Sequence, residues 1–270
     1  MKAMVLAAGI GTRLRPLTND RPKALVEVGG RTMLEITLTR LRSFGVREVI
    51  VNAHHFADMI AEYLETNQNF GMRIQVSREN VLLDTGGGLK EAAHFFQDKE
   101  EDEDSNDPFI LHNVDVISSI DLARMAQFHS ANQALATLAV QERATSRYLL
   151  FDEQLKLRGR RSAEEVERER SRLATAGMQA LSFCGIHVIS PRMLRMMSEE
   201  GVFSIITTYL RLAGEGQRIL AFRADDYYWR DLGKPDQVVQ AERDMERKSF
   251  ALSGPLVRKK NSGGKPPHST

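Results

Sequence analysis

The chain reads as an α/β protein, a mostly parallel central sheet with helices on both faces. Three observations predict this. Strand-like and helix-like stretches alternate over residues 1–77, and a βαβαβ order implies parallel strands joined by crossover helices. The runs Ala3-Met4-Val5-Leu6, Val49-Ile50-Val51 and Phe109-Ile110-Leu111 are apolar without interruption, as strands buried on both faces are. The first run opens into a loop of small residues, Ala7-Ala8-Gly9-Ile10-Gly11, a strand-end turn typical of such folds.

Residues 3–6 are the first strand. In the loop that follows, no Cβ at Gly9 or Gly11 stops backbone N–H groups from closing on an anion. Thr12 adds a hydroxyl, and Arg13, Arg15, Arg21 and Lys23 add positive charge. The combination points to a polyphosphate site. A dinucleotide fingerprint needs a third glycine where Leu14 stands, and no Gly-Lys-Ser/Thr follows to make a P-loop. Gly29-Gly30 is a turn. Thr32 with Glu35 has the spacing of a capping box, and Met33, Ile36, Leu38, Leu41 and Phe44 form the apolar face of the helix it starts. Gly45 stops that helix. Residues 46–52 are the next strand, 55–66 an amphipathic helix and 73–77 a third strand. His54 and His55 read as loop or capping histidines.

Asp84-Thr85-Gly86-Gly87-Gly88 precedes a helix at 89–96. The three glycines are either a flexible turn or, the favoured reading, a bare surface on which a flat base lies with peptide groups reading its edge. Residues 98–107 carry seven acidic residues and one lysine, a mobile surface loop by charge alone. The strand from Phe109 ends in Asn113-Val114-Asp115, and a carboxylate at the carboxyl end of a central strand lies where α/β sheets bind ligands. A helix at 120–131, a strand at 134–141 and a hairpin (148–151 and 155–158) come next. Residues 164–172 are a solvated helix or a lid, and Arg158, Arg160 and Arg161 read as surface. The strand 180–189 passes through Gly185, either a bulge or a close approach. Cys184 has no neighbouring His or Asp to make it a nucleophile. Helices at 191–198 and 203–213 and a strand at 218–224 lead to Tyr227-Tyr228-Trp229-Arg230-Asp231-Leu232-Gly233, where the aromatics are core or pocket wall. Pro235 opens the last helix. The expected organisation is one folded domain, 1–250, and a Ser-, Gly-, Pro- and Lys-containing disordered tail, 251–270.

Composition narrows the classes. A 270-residue chain with 42% hydrophobic residues supports a sizeable core. Its net charge of +1 gives no reason to expect nucleic acid or a membrane surface as partner. A single cysteine excludes an internal disulfide and a multi-cysteine zinc site. With no signal peptide ahead of the first strand and no membrane-length apolar run, the expected location is cytoplasmic.

The string Leu-Ala-Ala-Gly-Ile-Gly-Thr-Arg-Leu-Arg-Pro-Leu-Thr at 6–18, with Arg-Pro-Lys-Ala-Leu at 21–25, resembles the signature of the sugar-1-phosphate nucleotidylyltransferases. The resemblance continues through Gly86-Gly87-Gly88, Asn113-Val114-Asp115, Phe183-Cys184-Gly185-Ile186 and Trp229-Arg230-Asp231-Leu232-Gly233, to about residue 248. The chain is similar to the short, single-domain type, which includes N-acetylmuramate-1-phosphate uridylyltransferases and mannose- or heptose-1-phosphate guanylyltransferases. The resemblance implies a Rossmann-like nucleotidyltransferase fold and the conversion of an NTP and a sugar 1-phosphate to an NDP-sugar and pyrophosphate. It also implies roles for residues. Lys23, Arg13 and Asp115 would be catalytic. Leu6, Ala7, Ala8, Gly9, Gly11, Thr12, Arg13, Gly86, Gly87 and Asn113 would hold the nucleotide, and Gly185 and Trp229 the sugar. Asp115 and Asp231 would hold Mg²⁺.

Under these roles Lys23 bridges the two reacting phosphates as a compact charge, and Arg13 grips the leaving β- and γ-phosphates. Many relatives have Gly where this chain has Val114, and a β-branched residue resists positive φ. That departure keeps a second reading open, a non-catalytic nucleotide or NDP-sugar sensor on the same fold. A Rossmann reductase is disfavoured by Leu14. Base, sugar and oligomeric state stay open at this level.

Overall fold

The computed structural model describes residues 1–97 and 107–246. The tail expected at 251–270 and all but the last residue of the acidic stretch lie outside the described residues. The chain starts with β1 (Lys2–Leu6), β2 (Glu27–Val28), β3 (Arg31–Thr32), α1 (Met33–Ser43), β4 (Glu48–Ala53), α2 (Ala57–Thr66) and β5 (Arg73–Arg78). It continues with α3 (Asp84–Glu91), β6 (Phe109–Asn113), β7 (Val116–Ser118), α4 (Leu122–Ala131), β8 (Ala136–Gln141), β9 (Arg147–Phe151) and β10 (Leu157–Ser162). The last part holds α5 (Ala163–Thr175), β11 (Gln179–Ile189), α6 (Ile205–Gly214), β12 (Ile219–Arg223), β13 (Trp229–Asp231) and α7 (Pro235–Glu246).

The main sheet runs β10-β9-β11-β6-β1-β4-β5, with β8 also paired to β11 and β12 paired to β8. Its centre is parallel: β1 pairs in register with β4 and with β6, and β4 with β5. β11 enters antiparallel to β6, β8 and β9, so the sheet is mixed around a mostly parallel centre.

Alternation along β1 shows both faces buried. Ala3 and Val5 join a core formed with Leu34 and Leu38 of α1, Ile60 of α2, Met125 of α4 and Val238 of α7. Met4 points the other way, into a core with Leu89 of α3 and Tyr209 and Leu212 of α6. Period-two side chains on strands and three-to-four-residue spacing on helices produce this sandwich directly.

Four local expectations need correction. The helix after Leu83 starts at Asp84, so Gly86, Gly87 and Gly88 are helical and buried rather than a turn. The Thr32 cap forms, accepting from the Glu35 N–H at 3.0 Å, but the Glu35 carboxylate does not return to the cap. It takes Arg31 at 2.6 Å instead. A complete capping box forms at Ser162 and Glu165, at the start of α5, where such a box contributes about 1 kcal/mol. The third concerns 191–198, which forms only a 3₁₀ run, Pro191–Met196. α2 begins two residues later than expected, because Phe56 adopts a left-handed φ of 60°.

Candidate active site

The loop after β1 is shaped by its neighbours. Gly11 has φ +70°, and a Cβ there would stand 3.0 Å from Thr18 Cγ2 and 3.1 Å from Lys23 Cβ. Only glycine permits both the left-handed turn and that close return. The Thr18 hydroxyl donates to Gly11 O at 2.8 Å, which draws 18–23 back over the loop. Lys23 thereby reaches Asp115, just beyond β6, and its Nζ forms an ion pair with Oδ2. Both side chains are largely shielded, at 14% and 13% exposure, so the pair is less weakened by water than a surface one.

A second brace comes from Asn52 at the end of β4. Its Oδ1 accepts from the Ala7 N–H at 2.7 Å, and its amide donates to Glu79 Oε1 at 2.6 Å. The other Glu79 oxygen accepts from Leu83 N at 3.1 Å. A Cβ on Gly88 would lie 2.5 Å from Glu79 Oε1 and 2.8 Å from Asn52 Nδ2. The third glycine of the run thus makes room for the two side chains that hold the loop.

Asp231 arrives from the far end of the chain. β13 pairs antiparallel with β7, which sets Asp231 opposite Val116. Leu232 N donates to Asp115 O at 2.8 Å. The two carboxylate-bearing residues are therefore neighbours across a two-stranded ladder. Asp231 Oδ1 accepts from Gly233 N at 2.6 Å. A Cβ on Gly233 would stand 2.7 Å from that oxygen and 2.9 Å from Arg13 Nη2, so Arg13 and Asp231 converge on one point.

Two cavities meet at Asn113, whose Oδ1 is buried without a hydrogen-bond partner. The first, about 390 Å³, is lined by Leu6, Ala8, Gly9, Lys23 and Asp115 with Asn113. Asp84, Thr85 and Val114 also line it, and Asn52, Glu79, Leu82 and Val202, unmarked by any motif, complete its wall. The second, about 640 Å³, is lined by Arg13, Gly185, Trp229 and Asp231 with Asn113, and by Arg143, Lys234 and Gln237. Arg13 is thus on the second cavity, apart from Gly9 and Lys23.

Ala7, Gly11 and Thr12 line neither cavity; they build the turn beneath. Gly86 and Gly87 line neither as well. Both of their N–H groups donate to Phe203 O, at 2.9 and 3.3 Å, and a Cβ on Gly86 would strike the Phe203 ring. The run supports the wall through packing, and its peptide N–H groups are already engaged.

Gly185 is both a bulge and a close approach: φ is +71°, and a Cβ would stand 2.9 Å from Asn113 Nδ2. Val114 is not among the described residues with positive φ, so its branched side chain meets no backbone strain. It is buried, and its N–H continues the ladder to Leu6 O at 3.1 Å. The Cys184 thiol is pushed up to about 12 by burial, which leaves no thiolate at neutral pH. His54 is occupied by Glu79 O at 2.8 Å, and Arg158 by Asp152 at 2.7 Å.

Against known families, residues 2–248 match the model described as "Nucleotidyl transferase". The chain belongs to the nucleotidyl transferase family. It is 32% identical to the N-acetylmuramate alpha-1-phosphate uridylyltransferase of Caulobacter vibrioides over 89% of this chain and 95% of that protein. It is 29% identical to the mannose-1-phosphate guanylyltransferase of Mycobacterium tuberculosis, over 91% of this chain and 64% of that protein. Among solved structures, HddC from Yersinia pseudotuberculosis complexed with GMP-PN superposes with a TM-score of 0.68 at 20% identity, covering 90% and 99% of the two chains. That likeness bears on the fold. No helix among the described residues is long and apolar enough to cross a membrane.

Proposed function

We propose that the protein is a sugar-1-phosphate nucleotidylyltransferase, joining an NTP to a sugar 1-phosphate to give an NDP-sugar and pyrophosphate. The observation that carries this reading is the Lys23–Asp115 pair with Asp231 set beside it, at the junction of two cavities. One cavity takes the nucleotide along Leu6, Ala8, Gly9 and Asn113, with UTP and GTP the favoured donors. The other takes the sugar between Gly185 and Trp229, with N-acetylmuramate, mannose or heptose 1-phosphate the favoured acceptors.

In the reaction a sugar phosphate oxygen attacks the α-phosphorus, a new P–O bond forms, and the bond to pyrophosphate breaks. The nucleophile is already an anion, so no general base is needed. The barrier is repulsion between polyanions, and catalysis rests on charge placement and alignment. Lys23 sits where it can exchange part of its contact with Asp115 for the reacting phosphates. Arg13, beside Asp231, offers a planar fork to the pyrophosphate being released. Ala7, Gly11 and Thr12 hold the turn in shape, and Gly86 and Gly87 let α3 close on Phe203 behind the base. Two neighbouring carboxylates and an unpartnered amide oxygen are a hard-oxygen donor set that fits Mg²⁺, which takes one or two carboxylates and completes its shell with phosphate and water. Asp115 and Asp231 would hold it, and when bound it would supply charge neutralisation for the reacting phosphates.

The sensor reading rested on Val114, and the unstrained backbone there removes its ground. The retained charges at Arg13, Lys23, Asp115 and Asp231 favour catalysis. The test is pyrophosphate release with Mg²⁺, each NTP in turn, and the 1-phosphates of N-acetylmuramate, mannose, manno-heptose and glucose. Release confined to a matched pair is expected. Silence with every pair, in protein that binds nucleotide, would overturn the reading.

A further inference from the structure

Building on that reading, we infer that the sugar substrate carries a second anionic group besides its 1-phosphate, a carboxylate or a phosphate, and that Arg143 holds it. The second cavity is lined by Arg13, Arg143, Arg230 and Lys234 against a single carboxylate, Asp231. Arg230 is neutralised in place by Asp244 at 2.9 Å. Arg143 is not: among the described residues no carboxylate pairs with it, and its buried Nε has no partner.

The guanidinium is nevertheless held firmly. It lies over the Trp229 ring at 3.7 Å, and Nη2 donates to Phe183 O at 2.8 Å. The ring beneath is fixed in turn, because Trp229 Nε1 donates to Cys184 O at 2.7 Å. A preorganised, half-shielded, unpaired arginine on an aromatic face is a receptor for a planar or tetrahedral anion.

Position distinguishes this anion from the reacting phosphate. Lys23 and Asp115 line the other cavity, and Arg13 converges with Asp231 at Gly233. Trp229, which carries Arg143, stands two residues before Asp231 on β13, roughly 7 Å along a strand. That offset is comparable to the span of a pyranose ring. A sugar with its 1-phosphate at Asp231 would therefore present a substituent from its far side to Arg143.

Trp229 is the chain's single tryptophan, so intrinsic fluorescence reports on this site alone. The experiment titrates two matched pairs: N-acetylmuramate 1-phosphate against N-acetylglucosamine 1-phosphate, and glucose 1,6-bisphosphate against glucose 1-phosphate. At least one acidic member should bind about 10- to 100-fold tighter than its neutral counterpart, the factor a charge-assisted contact provides, and which pair does so tells carboxylate from phosphate. Arg143→Gln should erase that preference, and Arg143→Lys should restore part of it. Equal wild-type affinity within both pairs would overturn the inference without any variant. So would an equal loss on acidic and neutral members in Arg143→Gln, which would assign Arg143 to the shared 1-phosphate. Pyrophosphate release on the same pairs separates the two readings. Turnover of neutral sugars alone would keep the reaction and sink the inference, whereas Arg143-dependent acidic-sugar binding with no turnover would do the reverse.

Discussion

Lys23 and Asp115 form an ion pair across 92 positions of sequence. Removing either should spare the fold, because the pair lies at a cavity edge rather than in the core. Lys23→Ala and Asp115→Ala are each expected to lower kcat by about 10²- to 10⁴-fold, with circular dichroism and melting temperature close to wild type. Near-normal turnover in either variant would remove it from the mechanism. These two residues were legible in the sequence because a long motif carries one and a strand-end position marks the other. Asn52 and Glu79 were not. One reads as an ordinary strand end and the other as a loop charge, and only a contact spanning 27 positions makes them a brace for the loop. Arg143 was equally hidden, since its partners Trp229 and Phe183 lie 86 and 40 positions away.

α3 shows how a local propensity is overridden. Three successive glycines disfavour a helix by about 1 kcal/mol each relative to alanine, which is why the run read as a bare surface or a turn ahead of the helix rather than as part of it. Tertiary contact decides otherwise, because larger side chains would collide with 201–203 and with the Asn52–Glu79 brace. A Cβ at position 87 would stand 2.5 Å from Gly201 O and 2.9 Å from Leu83 Cβ, neither of which yields easily. Gly87→Ala should therefore lower stability by about 1–2 kcal/mol, overpacking outweighing the helix gain. Gly214→Ala, at the end of α6 with nothing within 4 Å of its Cβ, should instead gain up to about 1 kcal/mol. Urea unfolding of both variants checks the pair of signs. Elements with strong periodicity, such as α1 and β4, were recovered from the sequence within a residue or two, and the misses fall where a neighbour supplies what the local residues lack.

At the scale of the whole molecule, the parallel centre followed from the βαβ order, but the antiparallel entry of β11 did not, because its partners β6, β8 and β9 are chosen by distant strands. That same strand buries His187, which contacts the Tyr209 hydroxyl at 2.8 Å, while His129 sits between Thr137 and Ser190 at 3.0 Å from each. Burial, helped by His112, lowers His187 to about 3. Burial, helped by Arg192, lowers His129 to about 4. Both are neutral in the folded state, whereas the unfolded chain protonates them below about pH 6.5. Their contribution is complete above that pH and is lost as pH falls toward 4, up to about 1.4 kcal/mol per pH unit for each. Urea unfolding at pH 7.5 and pH 5.0 should show the loss, and His129→Asn should lose about 2 kcal/mol less between the two. An unchanged pH dependence in that variant would refute the assignment. The β7–β13 ladder carries a consequence in time. A ribosome releases Asp115 long before Asp231, and the nascent chain has no second carboxylate to place beside the first until 229–231 has emerged and zipped onto 116–118. Under the role proposed for Asp231, translation products interrupted short of that strand should release no pyrophosphate, so an incomplete copy would accumulate in a cell without turning over its substrates.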